Sequence, residues 1–289
     1  MVPLVQINQR ESTQAETQRD LQKALDFMNS ELREAVYVYG GDCLQGQTTP
    51  TFCPGITNYV PVSANNVPVL AFWKLEPLPK QLQDECNRGT ADPTVPCNFG
   101  RTYSLVVYSL TENQPTDPTN RQGKARIVRY ALTQYGDNGI ATANYVSPAQ
   151  AGVSFGIWPY QSNGGTLKPL LQPHQFAGNA VTLANFVDGT ARPGDNNVTC
   201  PTATSSNIKS VLTPSSTTLS NSSYPNGTFN GVRSFYACVR GGTAYNQDVF
   251  VFLRGNAYGR EGISDDSFLP TLQTQVLSHR SINDSSAQL

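Results

Sequence analysis

Apolar positions recur at three- and four-residue steps in one long stretch, residues 11 to 39, most of which lies in "ETQRDLQKALDFMNSELREAVYVYG" (16–40). Leu21, Ala24, Leu25, Met28, Leu32, Ala35 and Val36 make one stripe, and Arg19, Gln22, Lys23, Asp26, Asn29, Arg33 and Glu34 lie between them. That spacing predicts an amphipathic helix. Glu11 to Tyr39 contains no Gly or Pro, and Gly40-Gly41 then reads as its stop. A helix of about 27 residues is roughly 40 Å long. The stripe fades before Leu21, in "QINQRESTQAETQRD". That leading half is expected to project, or to pack on something outside this chain.

After Gly41 the period changes to two. "VPVLAFWKL" (67–75), "RTYSLVVYSL" (101–110), "ARIVRYALT" (125–133), "VRSFYACVR" (232–240) and "QDVFVFLRGNA" (247–257) read as strands, rich in β-branched and aromatic residues, and "LANFVDGTA" (183–191) is short and apolar-centred. The second and third strands are expected to form one hairpin and the fourth and fifth another. "GVSFGIWPY" (152–160) reads as strand or loop, and the tail from Ser264 as a weak helix or an extended segment. The stretch 194–231 is poor in apolar residues and reads as an inserted surface loop. One helix followed by antiparallel strands is an α+β arrangement. Leu21, Leu25, Met28, Leu32 and Val36 are expected to cover one face of the sheet. Each such burial is worth roughly 1.5–3 kcal/mol. The division is a helix over 1–40 and a β-rich head over 41–289.

Cysteines place this chain. Six occur, at Cys43, Cys53, Cys86, Cys97, Cys200 and Cys238, without a C-x-x-C pair, and the two histidines are far apart. No zinc set is present in that pattern. An even count in a loop-rich chain points to disulfides and an oxidising compartment. Of 15 pairings, the local ones are expected: Cys43–Cys53, Cys86–Cys97 and Cys200–Cys238. A net charge of −1 favours neither nucleic acid nor an anionic membrane. "MVPLV" is too short to span a bilayer and reads as the stump of a longer apolar helix.

These residues resemble a family. "QRESTQAETQRDLQKALDFMNSELREAVYVYG" is similar to the region just past the membrane helix of cyanobacterial type IV pilin-like proteins. Within that group it resembles the PilW-like minor pilins and the pseudopilins of hormogonium polysaccharide secretion. Their helix ends in a motif like "ALDYIxxDLxxAVYIY", matched by Ala24-Leu25-Asp26-Phe27-Met28, Glu31-Leu32 and Ala35-Val36-Tyr37-Val38-Tyr39. "LANFVDG" and "VFLRGNAYGR" are weaker echoes. The family's leader glycine, following Phe and early Glu do not occur here. The resemblance implies a pilin-like fold: a long N-terminal helix on an antiparallel sheet, under a disulfide-braced head. It implies an inner-membrane anchor before assembly and a periplasmic or extracellular filament afterwards. Partners would be other major and minor pilins through the helix, with filament initiation serving motility, adhesion, DNA uptake or polysaccharide export. The ligand of such a head (glycan, surface or DNA) is left open.

Rival chemistry is thin. Gly152-Val153-Ser154-Phe155-Gly156 fits G-x-S-x-G, with Asp188 or Asp195 and His279 following in hydrolase order. "IWPYQSNGG" after it cannot be the required helix, and His174 between Pro173 and Gln175 reads as a loop residue. Asp137-Asn138-Gly139, Asp195-Asn196-Asn197 and Asp265-Asp266 offer oxygen ligands without calcium-loop spacing; the first reads as a hairpin turn. Asn197, Asn221 and Asn226 open N-x-S/T triplets. Arg233, Arg240, Arg254 and Arg260 could line a basic strip, although Asp248 and Glu261 lie among them. No catalytic residue, metal or cofactor is assigned. The reading is a non-enzymatic minor pilin or pseudopilin head; the alternative is an extracellular binding module.

Overall fold

The computed structural model describes residues 2–47, 52–61, 65–114, 123–172, 178–201, 210–215, 231–241 and 247–278. His174, Asn221, Asn226 and His279 lie outside them. The fold is α+β. One long helix, α1 (Val2–Arg33), precedes β1 (Ala35–Val38), a short α2 (Gly41–Gln45) and β2 (Asn66–Pro77). Then come α3 (Lys80–Arg88), β3 (Arg101–Glu112), β4 (Ala125–Thr133), β5 (Tyr160–Asn163), β6 (Thr166–Pro169) and β7 (Asn179–Val187). The chain continues through β8 (Ser210–Thr213), β9 (Phe235–Arg240), β10 (Gln247–Arg254) and β11 (Thr271–Ser278).

The strands make two main antiparallel sheets, not one. The larger has the order β1-β2-β3-β4-β7 and the smaller β11-β10-β9-β8, with β5-β6 as a separate ribbon. β3–β4 and β9–β10 are the two expected antiparallel pairs. Within the described part of the tail, Thr271–Ser278 is extended, as β11. Of 152–160 only Tyr160 enters a strand, and the rest is a series of turns. Asp137-Asn138-Gly139 lies in a turn closed by an antiparallel bridge, Tyr135 to Ala141.

The helix ends at Arg33, six residues before its expected end at Tyr39. Glu34 N–H closes a last tight turn on the Glu31 carbonyl (3.1 Å). "AVYV" is then taken by the sheet as β1, against β2. β-branched and aromatic residues favour that pleated setting, and the exposed edge of β1 is closed from afar. Val38 N–H donates to Gln247 Oε1 (2.8 Å), and Gln247 Nε2 donates to the Val38 carbonyl (2.8 Å). Val36 therefore belongs to β1 and not to the helical stripe. Gly40-Gly41 is not a helix stop but the entry to α2, where a Cβ on Gly41 would lie 2.0 Å from the Leu212 carbonyl oxygen.

Leu21, Leu25, Met28 and Leu32 are each at most 1% exposed, in the core between the sheets with Phe72, Val106 and Val251. α1 touches β11, β10, β7 and β2, so both sheets receive it. The opposite face of the larger sheet carries a second core, with Trp73, Leu105, Val107 and Trp158 fully or almost fully buried; Val36 packs at its margin.

The stretch 194–231 is more than a surface loop. Its residues 210–213 are β8, paired with β9. Thr213 Oγ1 donates to the carbonyl of Val69 (2.6 Å), where β2 carries an irregularity between Pro68 and Leu70. Three disulfides join Cys43–Cys53, Cys86–Cys97 and Cys200–Cys238. The last closes a separation of 38 residues and fastens this stretch to β9. Replacing Cys200 and Cys238 together by Ala is expected to cost about 2–5 kcal/mol, read from urea melts. An unchanged midpoint would show that β8 is held without the crosslink.

Candidate functional site

The helix is mounted at both ends. Its lower end carries Glu31, a carboxylate on an otherwise apolar face and 5% exposed. Arg129 of β4 grips it with two bonds (Nε to Oε2 2.8 Å, Nη2 to Oε1 2.7 Å). Lys74 of β2 lies 2.7 Å from Oε1, and the Tyr108 hydroxyl of β3 donates to Oε2. Burial alone pushes the Glu31 carboxyl up. The bonds from Arg129, Lys74 and Tyr108 outweigh it and hold the group at about 2, against an ordinary 4.5. Burial pushes the Tyr108 hydroxyl well up, with the Glu31 charge adding to it. Three strands of the larger sheet are thus tied to one helical residue.

The leading half does not project freely. The turn after β10 packs along it, shaped by Gly259 and Gly262 with φ of 87° and 79°. Thr13 Oγ1 donates to the Glu261 carbonyl (3.1 Å). Arg260 reaches Glu16 (2.9 Å) and Asp20 (2.6 Å), with its guanidinium 4.0 Å from the Phe186 ring centroid. Arg10 meets Asp265 at 3.3 Å. The expectation that this half packs only outside the chain is corrected on that side. Its other side, including Glu11, Ser12, Ala15, Gln18, Arg19 and Gln22, is exposed.

Beneath the turn lies a buried ionic knot. Asp188, fully buried at the end of β7, accepts from Arg254 Nε (2.9 Å), Arg192 Nε (3.0 Å), Thr190 Oγ1 (2.6 Å) and Asn256 Nδ2 (3.2 Å). Asp195 takes two more bonds from Arg254 (2.8 and 2.9 Å) and one from the Arg233 N–H (3.2 Å). Asp266 joins through Lys124 (2.5 Å) and Asn256 (3.1 Å). Burial raises the Asp188 carboxyl, and the Arg192, Thr190 and Asn256 bonds bring it down to about 2.

This geometry decides several expectations. The four arginines do not form an open basic strip: Arg254 and Arg260 are committed as described, Arg233 Nη1 donates to the Pro214 carbonyl (2.8 Å), and Arg240 pairs with Asp248. Asp188 and Asp195, the acids in hydrolase order, are occupied by arginines. Ser154 lies in a turn, its carbonyl accepting from Trp158 N–H (2.9 Å). Among the described residues no group of three or more His, Cys, Asp or Glu is placed to hold a metal ion, and no helix is long and apolar enough to cross a membrane. Asn197 is exposed. The Glu31 and Asp188 clusters escaped sequence reading, because Lys74, Tyr108 and Arg129 in the first, and Arg254 and Asn256 in the second, lie tens of residues away. A lone acid interrupting the stripe at Glu31 was the available signal.

What the arrangement offers is a rigid helix fastened to both sheets, with a polar face turned outward. Comparison with protein-family models, with curated proteins and with solved structures finds no match for this chain.

Proposed function

We propose that this chain is the head and helical stem of a minor pilin or pseudopilin, a structural subunit that helps to start or tip a filament. The supporting observation is the mounting of α1. Its apolar side from Leu21 to Leu32 is sunk in the core, while residues 8–20 are braced on one side and polar on the other. A helix held at both ends transmits position to whatever continues it, and its exposed side is available to neighbouring helices. In this reading an apolar anchor continues the helix into the inner membrane. Other pilins contact its outward face, and the disulfide-braced head stands outside. No step of chemistry is required of it.

The test is photo-crosslinking in the source cells, with a photoreactive residue at Gln18, Arg19 or Gln22. Adducts with other helical filament subunits are expected. A binding module without a filament role is the second reading, favoured by Phe99. That ring is 83% exposed at the end of the loop stapled by Cys86–Cys97. Adducts from a probe at position 99, with none from the helix, would replace the first reading by the second.

A further inference from the structure

We infer that the outer edge of β7 pairs with β7 of a second copy of this chain, joining two five-stranded sheets across a two-fold axis. The inference does not depend on the filament reading.

β7 ends the larger sheet, and among the described residues no strand pairs with the outer edge of its first half. Asn179, Ala180, Val181 and Thr182 are all exposed, Val181 to 56%. An edge strand presents a row of N–H and C=O groups, which only another extended backbone satisfies as a row. The outer edge of β11 is also unpaired among the described residues, whereas two other edges are closed. Gln247 covers β1 at Val38, and the far end of β7 is stitched to the end of β10 through the Val187–Gly255 bridge and the bond from Asn256 N–H to the Phe186 carbonyl (2.8 Å).

The features that keep edges apart are missing from this one. No Asp, Glu, Lys or Arg occurs between Lys168 and Asp188, and β7 contains no Pro. A neutral strand can face its own copy without placing like charges opposite each other, and a two-fold contact requires that self-complementarity. A second apolar group adjoins it. Phe27 of α1, 44% exposed, lines with Thr182 and Leu183 a groove of about 600 Å³ between the helix and β7. An entering copy would cover that ring. Pairing centred on Val181 sets the two Val181 residues opposite each other.

Sedimentation equilibrium of the whole chain over a wide concentration range tests this. A reversible monomer–dimer equilibrium is expected. Val181→Lys should weaken it about tenfold or more, since two ammonium groups then oppose each other at the axis, while the thermal midpoint stays within the range of ordinary surface substitutions. All six native cysteines are in disulfides, so Val181→Cys introduces the sole thiol and should give a covalent dimer on mild oxidation. Three results would overturn the inference: a monomer at every concentration, a dimer whose affinity is unchanged by Val181→Lys, or no covalent dimer from Val181→Cys. Binding of a foreign extended peptide by a chain that stays monomeric would assign the edge to another partner.

Discussion

Glu31→Ala is expected to lower the stability of the fold by about 3–5 kcal/mol at neutral pH, the usual cost of removing one partner from a buried ion cluster. The loss comes less from the carboxylate's attractions than from what is left behind. Lys74 and Arg129 would remain in a site where Lys74 is 7% exposed, and the Tyr108 hydroxyl would lose its acceptor. Lys74 keeps a second carboxylate, Glu76 at 2.9 Å, which places the cost toward the lower end. Replacing the cluster by apolar side chains (Glu31→Leu, Lys74→Met, Arg129→Leu and Tyr108→Phe together) should recover much of the loss, because no charge is then stranded. Urea melts measure both. A loss below about 1 kcal/mol for Glu31→Ala would mean that water reaches the cluster.

The same residue sets a pH dependence. The folded value near 2 lies below the ordinary 4.5, so the unfolded chain binds the proton more readily. The contribution is complete above about pH 4.5 and is lost as pH falls toward 2. Glu31→Ala should therefore lose less stability than the parent between neutral pH and pH 3. Parallel acid titrations of the two melts would show the difference, and parallel slopes would exclude Glu31 as its source.

Asp188→Ala is expected to cost about 3 kcal/mol and to loosen a region remote from the substitution. Four side chains converge on this carboxylate: Arg192, Arg254, Thr190 and Asn256. Asp195 retains two bonds to Arg254, so that guanidinium is not left without a counter-charge. Arg192 retains Asp266, at 3.3 Å. Asn256 is a different case, since it begins the turn that carries Arg260 to Glu16 and Asp20. Releasing it should raise amide hydrogen exchange over residues 10–20 of α1, while residues 24–32, held by the core and Glu31, stay protected. Equal protection of both halves in the variant would show that the turn is positioned without Asp188.

Local pattern was enough for the elements that make their own case. The 3.6-residue period of Leu21, Leu25, Met28 and Leu32 places the helix and its buried face. The strands at 67–75, 101–110 and 125–133 show as dense β-branched and aromatic runs, and β4 (Ala125–Thr133) coincides with its predicted range. Two elements misled. Ala35 and Val36 continue the helical spacing, yet "AVYV" is a strand, because β2 offers it backbone partners and Gln247, 209 residues from Val38, closes its edge. The Ser/Thr/Asn-rich stretch contributes β8 because Cys238 and the carbonyl of Val69 hold it there.

By itself the sequence determined that one long helix comes first, which helical side is apolar, where the strongest strands lie, and that the chain is β-rich after residue 41. These depend on the spacing of neighbours within a few residues. Tertiary structure alone decided that there are two sheets, that Glu31 is buried among Lys74, Arg129 and Tyr108, that Asp188 gathers Arg192 and Arg254, and that one edge of β7 is left open. A buried charge is tolerable only beside its counter-charge, and a strand edge is closed only by a backbone or amide that reaches it. Those partners lie up to hundreds of residues apart along the chain, where no periodicity records them.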